Sequence, residues 1–226
     1  VDLRDALRTT GSVRSFTSEA VDDATVAAIL DDARFAPSGG NRQAWHVVVV
    51  ADPARRTRLR ELYLEGWHDY VAHSLAGLVP FSPLATEADR AAARAQRAAA
   101  KALSRPNGFP ERLDEVPVLL LVTADLSVLA AVDRDLGRYG IAGGASVYPF
   151  VWQILLAARE RGLGGVITTM ATRHEDEVRQ VFAIPSTHAV AAVVALGHPV
   201  HQPTRLRRRP VDEFTTVDDF NGPPLG

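Results

Sequence analysis

Two hydrophobic periods alternate along this chain. Behind Asp22 and Asp23, either of which can cap a helix, Val26, Ile29, Leu30 and Ala33 recur at i, i+3, i+4 and i+7, and Pro37 stops the element. Val47 to Val50 then form an unbroken β-branched run. Such side chains are stiff at χ1 and favour a buried strand over a helix. Pro117 introduces a second apolar run, Val118-Leu119-Leu120-Leu121-Val122, which reads as a central strand, and residues 189–196 predict another. Helical spacing covers residues 3–8 and 175–182. It also covers most of 52–104, with a break at Pro80-Phe81-Ser82-Pro83. A long helix is expected over 141–161, with Pro149 either kinking it or lying in its first turn. The breaker Gly162-Leu163-Gly164-Gly165 precedes a short strand at Val166-Ile167-Thr168-Thr169. No internal repeat interrupts this order.

Composition narrows the classes. With 226 residues and 46% hydrophobic side chains, a sizeable core is affordable, and disorder is not expected for most of the chain. The 25 basic and 27 acidic residues leave a formal charge of -2, which argues against a surface adapted as a whole to nucleic acid. There is no cysteine, hence no thiolate metal site, disulfide or cysteine nucleophile, and redox chemistry would belong to a bound cofactor. No apolar run approaches the roughly 20 residues that cross a membrane, and no secretory signal is visible, so a soluble cytoplasmic protein is expected.

The candidate chemistry lies at segment junctions. Pro37-Ser38-Gly39-Gly40-Asn41-Arg42-Gln43-Ala44-Trp45 joins an apolar helix to a strand, a loop held between two rigid elements. Ser38 and Asn41 can hydrogen-bond a ligand, Gly39 and Gly40 permit close backbone approach, Gln43 can brace the loop, and Trp45 reads as a packing anchor. Ser12 and Arg14 pair a hydroxyl with a guanidinium, a combination suited to phosphate. Arg205, Arg207, Arg208 and Arg209 form a basic run suited to an anion. Thr168, Thr169 and Met170 follow the glycine-rich turn. Other constellations fail. Residues 137–144 lack Gly-x-Gly-x-x-Gly spacing, His68 and His73 do not form His-Glu-x-x-His, and Ser146 and Ser186 sit in no nucleophile elbow.

The loop resembles the Pro-Ser-x-x-Asn-x-Gln-Pro-Trp signature of the FMN-dependent nitroreductase family, with Ala44 in place of the second proline. Thr10-Gly11-Ser12-Val13-Arg14 resembles that family's Arg-Arg-Ser-x-Arg phosphate segment, keeping the serine and last arginine. Residues 162–170 resemble its Gly-Leu-Gly stretch, and Arg208, two residues before Pro210, matches a C-terminal arginine, with Arg205 second. The resemblance implies an α+β fold: a mixed, largely antiparallel central sheet surrounded by helices, in an intertwined homodimer. It implies one nitroreductase-like domain over 1–226, with a divergent helical cap or lid at about 66–115 and an extended C-terminal arm at about 198–226.

It further implies FMN held by Ser12, Arg14, Pro37, Ser38, Gly39, Asn41, Gln43, Thr168, Thr169, Met170, Arg205 and Arg208, the Pro37–Gln43 loop arriving largely from across the dimer interface. The implied activity is ping-pong transfer from NADH or NADPH through FMN to an electrophilic acceptor such as a nitroaromatic or quinone, with no obligatory catalytic side chain and no metal. Partners in nucleic acid or membrane are not expected. The alternatives are a related flavin dehalogenase, enoyl reductase or oxidative cleavage enzyme, a noncatalytic FMN-binding protein, and a module that binds acidic partners through its arginine tail.

Overall fold

The computed structural model describes residues 1–225. Four strands pair in one antiparallel sheet: β1 (Trp45–Val49), β2 (Val118–Asp125), β3 (Gly164–Thr168) and β4 (His188–Gly197), in the spatial order β1-β2-β4-β3. Most of each central strand, Val118–Val122 and Ala189–Leu196, is apolar because both faces of the sheet are covered there. Around them lie α1 (Leu3–Thr9), α2 (Asp23–Ala33), α3 (Pro53–Leu75), α4 (Glu87–Ala95), α5 (Arg97–Ala102), α6 (Tyr148–Glu160) and α7 (Glu175–Phe182). The expected α+β class and a central sheet surrounded by helices are therefore observed, and the sheet expected to be largely antiparallel is antiparallel in all three strand pairs.

Side-chain alternation divides the core into two layers. Leu120 and Val122 of β2, with Val194 and Leu196 of β4, pack on Val26, Ile29 and Ala33 of α2 and on Phe150, Val151 and Ile154 of α6. Leu119 and Leu121, with Val193 and Ala195, pack instead on Leu59, Leu62 and Tyr63 of α3 and Val178 of α7. A β-bulge between Val122 and Thr123 pairs Val122 with Ala192 but Thr123 with Val190, leaving Ala191 as the extra residue.

Local chemistry sets the helix ends. The Asp22 carboxylate accepts from the Thr25 amide at 2.6 Å, and Asp52 accepts from Arg55 at 2.8 Å ahead of Pro53. Thr86 and Asp89 cap α4 reciprocally. Arg56 then ties α3 to the approach of β2, donating to the carbonyls of Val50, Asp114 and Val116.

Two boundaries differ from expectation. The helix expected from residue 141 begins at Tyr148, and Ala142–Ser146 form a 3-10 turn, because Gly143 and Gly144 weaken helical propagation. Pro149 sits in the first turn of α6, where a missing amide hydrogen costs little. Gly164 and Gly165 belong to β3 rather than to the breaker, pairing with Gly197 and Leu196. Among the described residues no helix is long and apolar enough to cross a membrane.

Candidate active site

Tyr63, Trp67 and Tyr70 recur at i, i+4 and i+7 along α3 and form one aromatic face. Trp67 and Tyr70 stack, their ring centroids 5.3 Å apart and their planes 7° from parallel. Gly66 brings this face close to the end of β3, since a side-chain carbon there would run into the Met170 carbonyl oxygen. Opposite stand Val166, Ile167, Thr168, Thr169 and Met170, and with Arg14 these groups line a cavity of about 280 Å3. Burial raises the pKa of the Tyr63 phenol, while the Thr168 hydroxyl and the Arg14 charge act in the opposite direction.

Arg14 reaches this place through backbone pairing. Ser12 bridges Gly165 in parallel register, and the Val13 amide donates to the Gly165 carbonyl at 2.9 Å. Arg14 and Ser12 are both exposed, and among the described residues neither side chain has a hydrogen-bond or ion-pair partner. The C-terminal segment returns to the same edge. A side chain at Gly11 would meet Leu206 at 2.8 Å and Pro203 at 3.2 Å, and Gln202 donates to the Thr9 carbonyl at 3.3 Å. Arg205 thus neighbours a residue packed beside Gly11. Arg208 is exposed and donates to the Arg207 carbonyl at 2.7 Å, whereas Arg209 lies over the Phe214 ring at 5.9 Å.

The Pro37–Gln43 loop occupies different ground. Ser38 accepts from the Gln43 amide at 3.0 Å, and the Gln43 side-chain amide donates to the Asn41 side-chain oxygen at 3.3 Å. Asn41 and Gln43 have φ of 53° and 50°, a left-handed pair that these internal bonds hold in place. The Gly39 amide donates to Ser146 at 3.0 Å, linking the loop to the turn before α6. Trp45 stacks on Phe150 at 4.6 Å with planes 2° apart, so it serves packing. None of these loop residues lines the cavity beside Arg14. One chain therefore brings Ser12, Arg14, Thr168, Thr169 and Met170 to one edge and keeps Pro37, Ser38, Gly39, Asn41 and Gln43 apart from it.

The nitroreductase family profile matches residues 7–198. The chain belongs to the nitroreductase family. A relative from Thermus thermophilus, described as an NADH dehydrogenase, is 29% identical over 212 residues, covering 94% of each chain. Among solved structures, a BluB-like flavoprotein from Clostridium difficile 630 superposes with a TM-score of 0.66 at 21% identity, covering 97% of this chain and 100% of the other. The NADPH:FMN oxidoreductase from Vibrio harveyi complexed with NAD+ gives a TM-score of 0.64 at 19% identity, covering 96% and 77%. Membership supports an oxidoreductase role for this nitroreductase-family chain.

Sequence reasoning passed over Tyr63, Trp67 and Tyr70, which form one wall of the family member's cavity. Their spacing is a helical stripe inside the stretch expected to be helical, but its meaning depends on the close approach at Gly66. Arg173, on the 3-10 turn Met170–His174, was likewise not singled out.

Proposed function

We propose that the protein is an FMN-dependent oxidoreductase that takes electrons from NADH or NADPH and passes them to an electrophilic organic acceptor such as a nitroaromatic or quinone. The observation that carries this reading is Arg14, an unpaired cation at one end of the aromatic cavity formed by Tyr63, Trp67 and residues 166–170. That donor set fits the cofactor: a guanidinium and the Ser12 hydroxyl for a phosphate, and a cleft walled by the flat faces of Tyr63, Trp67 and Tyr70 for a planar ring. When bound, FMN would supply the two-electron redox chemistry that connects a nicotinamide donor to the acceptor.

The chain's own residues bind and orient. Ser12 and Arg14, with Arg205 and Arg208 from the returning C-terminal arm, would hold the phosphate, and Thr168, Thr169 and Met170 would hold the ring system. The 280 Å3 cleft falls just under the roughly 300–1,000 Å3 typical of ligand pockets. A second copy explains both this shortfall and the separate location of the Pro37–Gln43 loop. In a homodimer, Pro37, Ser38, Gly39, Asn41 and Gln43 of one protomer would close the cleft of its partner. In this reading the single domain carries a helical cap at about 66–115 and works in the cytoplasm.

The test is anaerobic stopped-flow absorbance of protein reconstituted with FMN, mixed with NADH or NADPH and then with a quinone or nitroaromatic. Rapid bleaching followed by acceptor-dependent reoxidation is expected. Retained FMN that neither nicotinamide reduces would instead mark a noncatalytic binder, and failure to retain FMN would sink the assignment.

A further inference from the structure

Two further cavities share a wall, and one of them adjoins the aromatic cleft. One, about 460 Å3, is lined by Asp69, His73, Arg90, Arg94 and Arg97 together with Phe81 and Arg173. The other, about 560 Å3, is lined by Tyr139, Tyr148, Thr169, Met170 and Glu175, again with Phe81 and Arg173. Thr169 and Met170 also line the 280 Å3 cleft, so the larger cavity opens beside the proposed flavin site.

Phe81 is held in an unusual conformation, with φ of 55°. Its ring centroid lies 4.8 Å from that of His73 and 6.5 Å from that of Tyr70, and the Arg173 guanidinium covers it at 5.1 Å. The charges around it are nearly balanced. Arg90 and Arg94 share Glu87 at 2.9 and 2.6 Å, and Arg97 reaches Glu65 at 2.6 Å and Asp69 at 2.7 Å. Arg173 pairs with no carboxylate among the described residues. Glu175, on the same cavity wall, accepts from the Val190 amide rather than from Arg173.

We propose that Arg173 determines acceptor specificity, receiving the carboxylate of a planar aromatic acceptor in the 560 Å3 cavity. This rests on the oxidoreductase reading above. A guanidinium stacked on an aromatic face keeps its N–H edge available for bidentate pairing with a carboxylate. Phe81, Tyr139 and Tyr148 supply flat walls for the acceptor's ring.

The test compares 4-nitrobenzoate with its neutral isostere 4-nitrobenzamide. Flavin retention is first measured by absorbance, and calorimetric binding and kcat/KM are then read for both compounds. The wild-type protein is expected to favour the benzoate by about ten- to a hundredfold, the scale of a hydrogen-bonded charge pair. Arg173→Gln should collapse that ratio towards one, and Arg173→Lys should keep part of it. Equal binding of the two compounds to the wild-type protein, or a preference that survives Arg173→Gln, overturns the proposal. An Arg173-dependent benzoate preference in protein that binds FMN but is not reduced upholds the anion site and removes the oxidoreductase reading instead.

Discussion

At the scale of single residues, Gly66 and Arg14 have the plainest consequences. Gly66→Ala in the interior of α3 would by propensity stabilise the helix by about 1 kcal/mol. The new methyl, however, meets the carbonyl of Met170, a backbone atom that cannot rotate away, and overpacking of this kind costs about 1–3 kcal/mol. The clash should win, lowering the midpoint of chemical denaturation and weakening FMN binding together. A variant as stable as the wild type would show that α3 and the turn after β3 are not tightly engaged. Arg14→Gln tests something different, because Arg14 is exposed and unpaired. Its fold should persist, while the FMN dissociation constant measured by fluorescence quenching rises by about ten- to a hundredfold, as expected for loss of a charge-assisted bond.

Helices and strands show what sequence can and cannot disclose. The spacing that predicts residues 175–182 as a helix coincides with α7, which buries one stripe through Val178, and the apolar run at 189–196 lies within β4, which is covered on both faces. The start of α6 was not readable from apolar content alone, since Gly143 and Gly144 interrupt a run that otherwise looks continuous. The site divides in the same way. Pro37 to Trp45 and Ser12 with Arg14 are compact in sequence and visible there. The aromatic face of α3 and the stack of Arg173 on Phe81 arise only when segments distant in the chain meet.

A tie between α3 and the end of α5 has a pH signature. His68 of α3 is buried with its Nε2 at 2.9 Å from the Ser104 hydroxyl and no partner for Nδ1. Burial depresses its pKa; Glu65 and Glu111 oppose that shift, whereas Lys101 and Arg97 add to it. A depressed pKa means that this histidine's contribution to stability is intact above about 6.5 and is lost as pH falls through the lowered value. Thermal melts between pH 8 and 5 should therefore fall more steeply for the wild type than for His68→Gln. Parallel curves would place the acid sensitivity elsewhere.

For the whole molecule, the Pro37–Gln43 loop and the Arg14 cleft lie apart within one chain, and the proposed site needs a second copy to join them. Tyr148 and Trp152 leave an aromatic strip on the outer face of α6, 46% and 36% exposed, and Phe35 near the loop is 70% exposed. If that strip meets a second copy, Trp152→Arg should shift the sedimentation coefficient to that of a monomer. It should also weaken FMN retention at least about tenfold, although Trp152 does not line the Arg14 cleft. Retained dimer and unchanged FMN affinity would move the interface elsewhere.

The bulge at Ala191 carries a consequence for how this sheet tolerates changes of length. Val190 packs in the same layer as Val193 and Ala195, two odd-numbered positions, because the extra residue inverts the parity of the strand at that point. The Ala191 carbonyl also accepts from the Tyr148 hydroxyl at 3.3 Å. Deleting Ala191 would remove the bulge and straighten the ladder, with Val190 still opposite Thr123 and in its present layer. The strand can therefore lose one residue at this point without turning its pleat inside out, while the Tyr148 hydroxyl would lose the carbonyl it reaches.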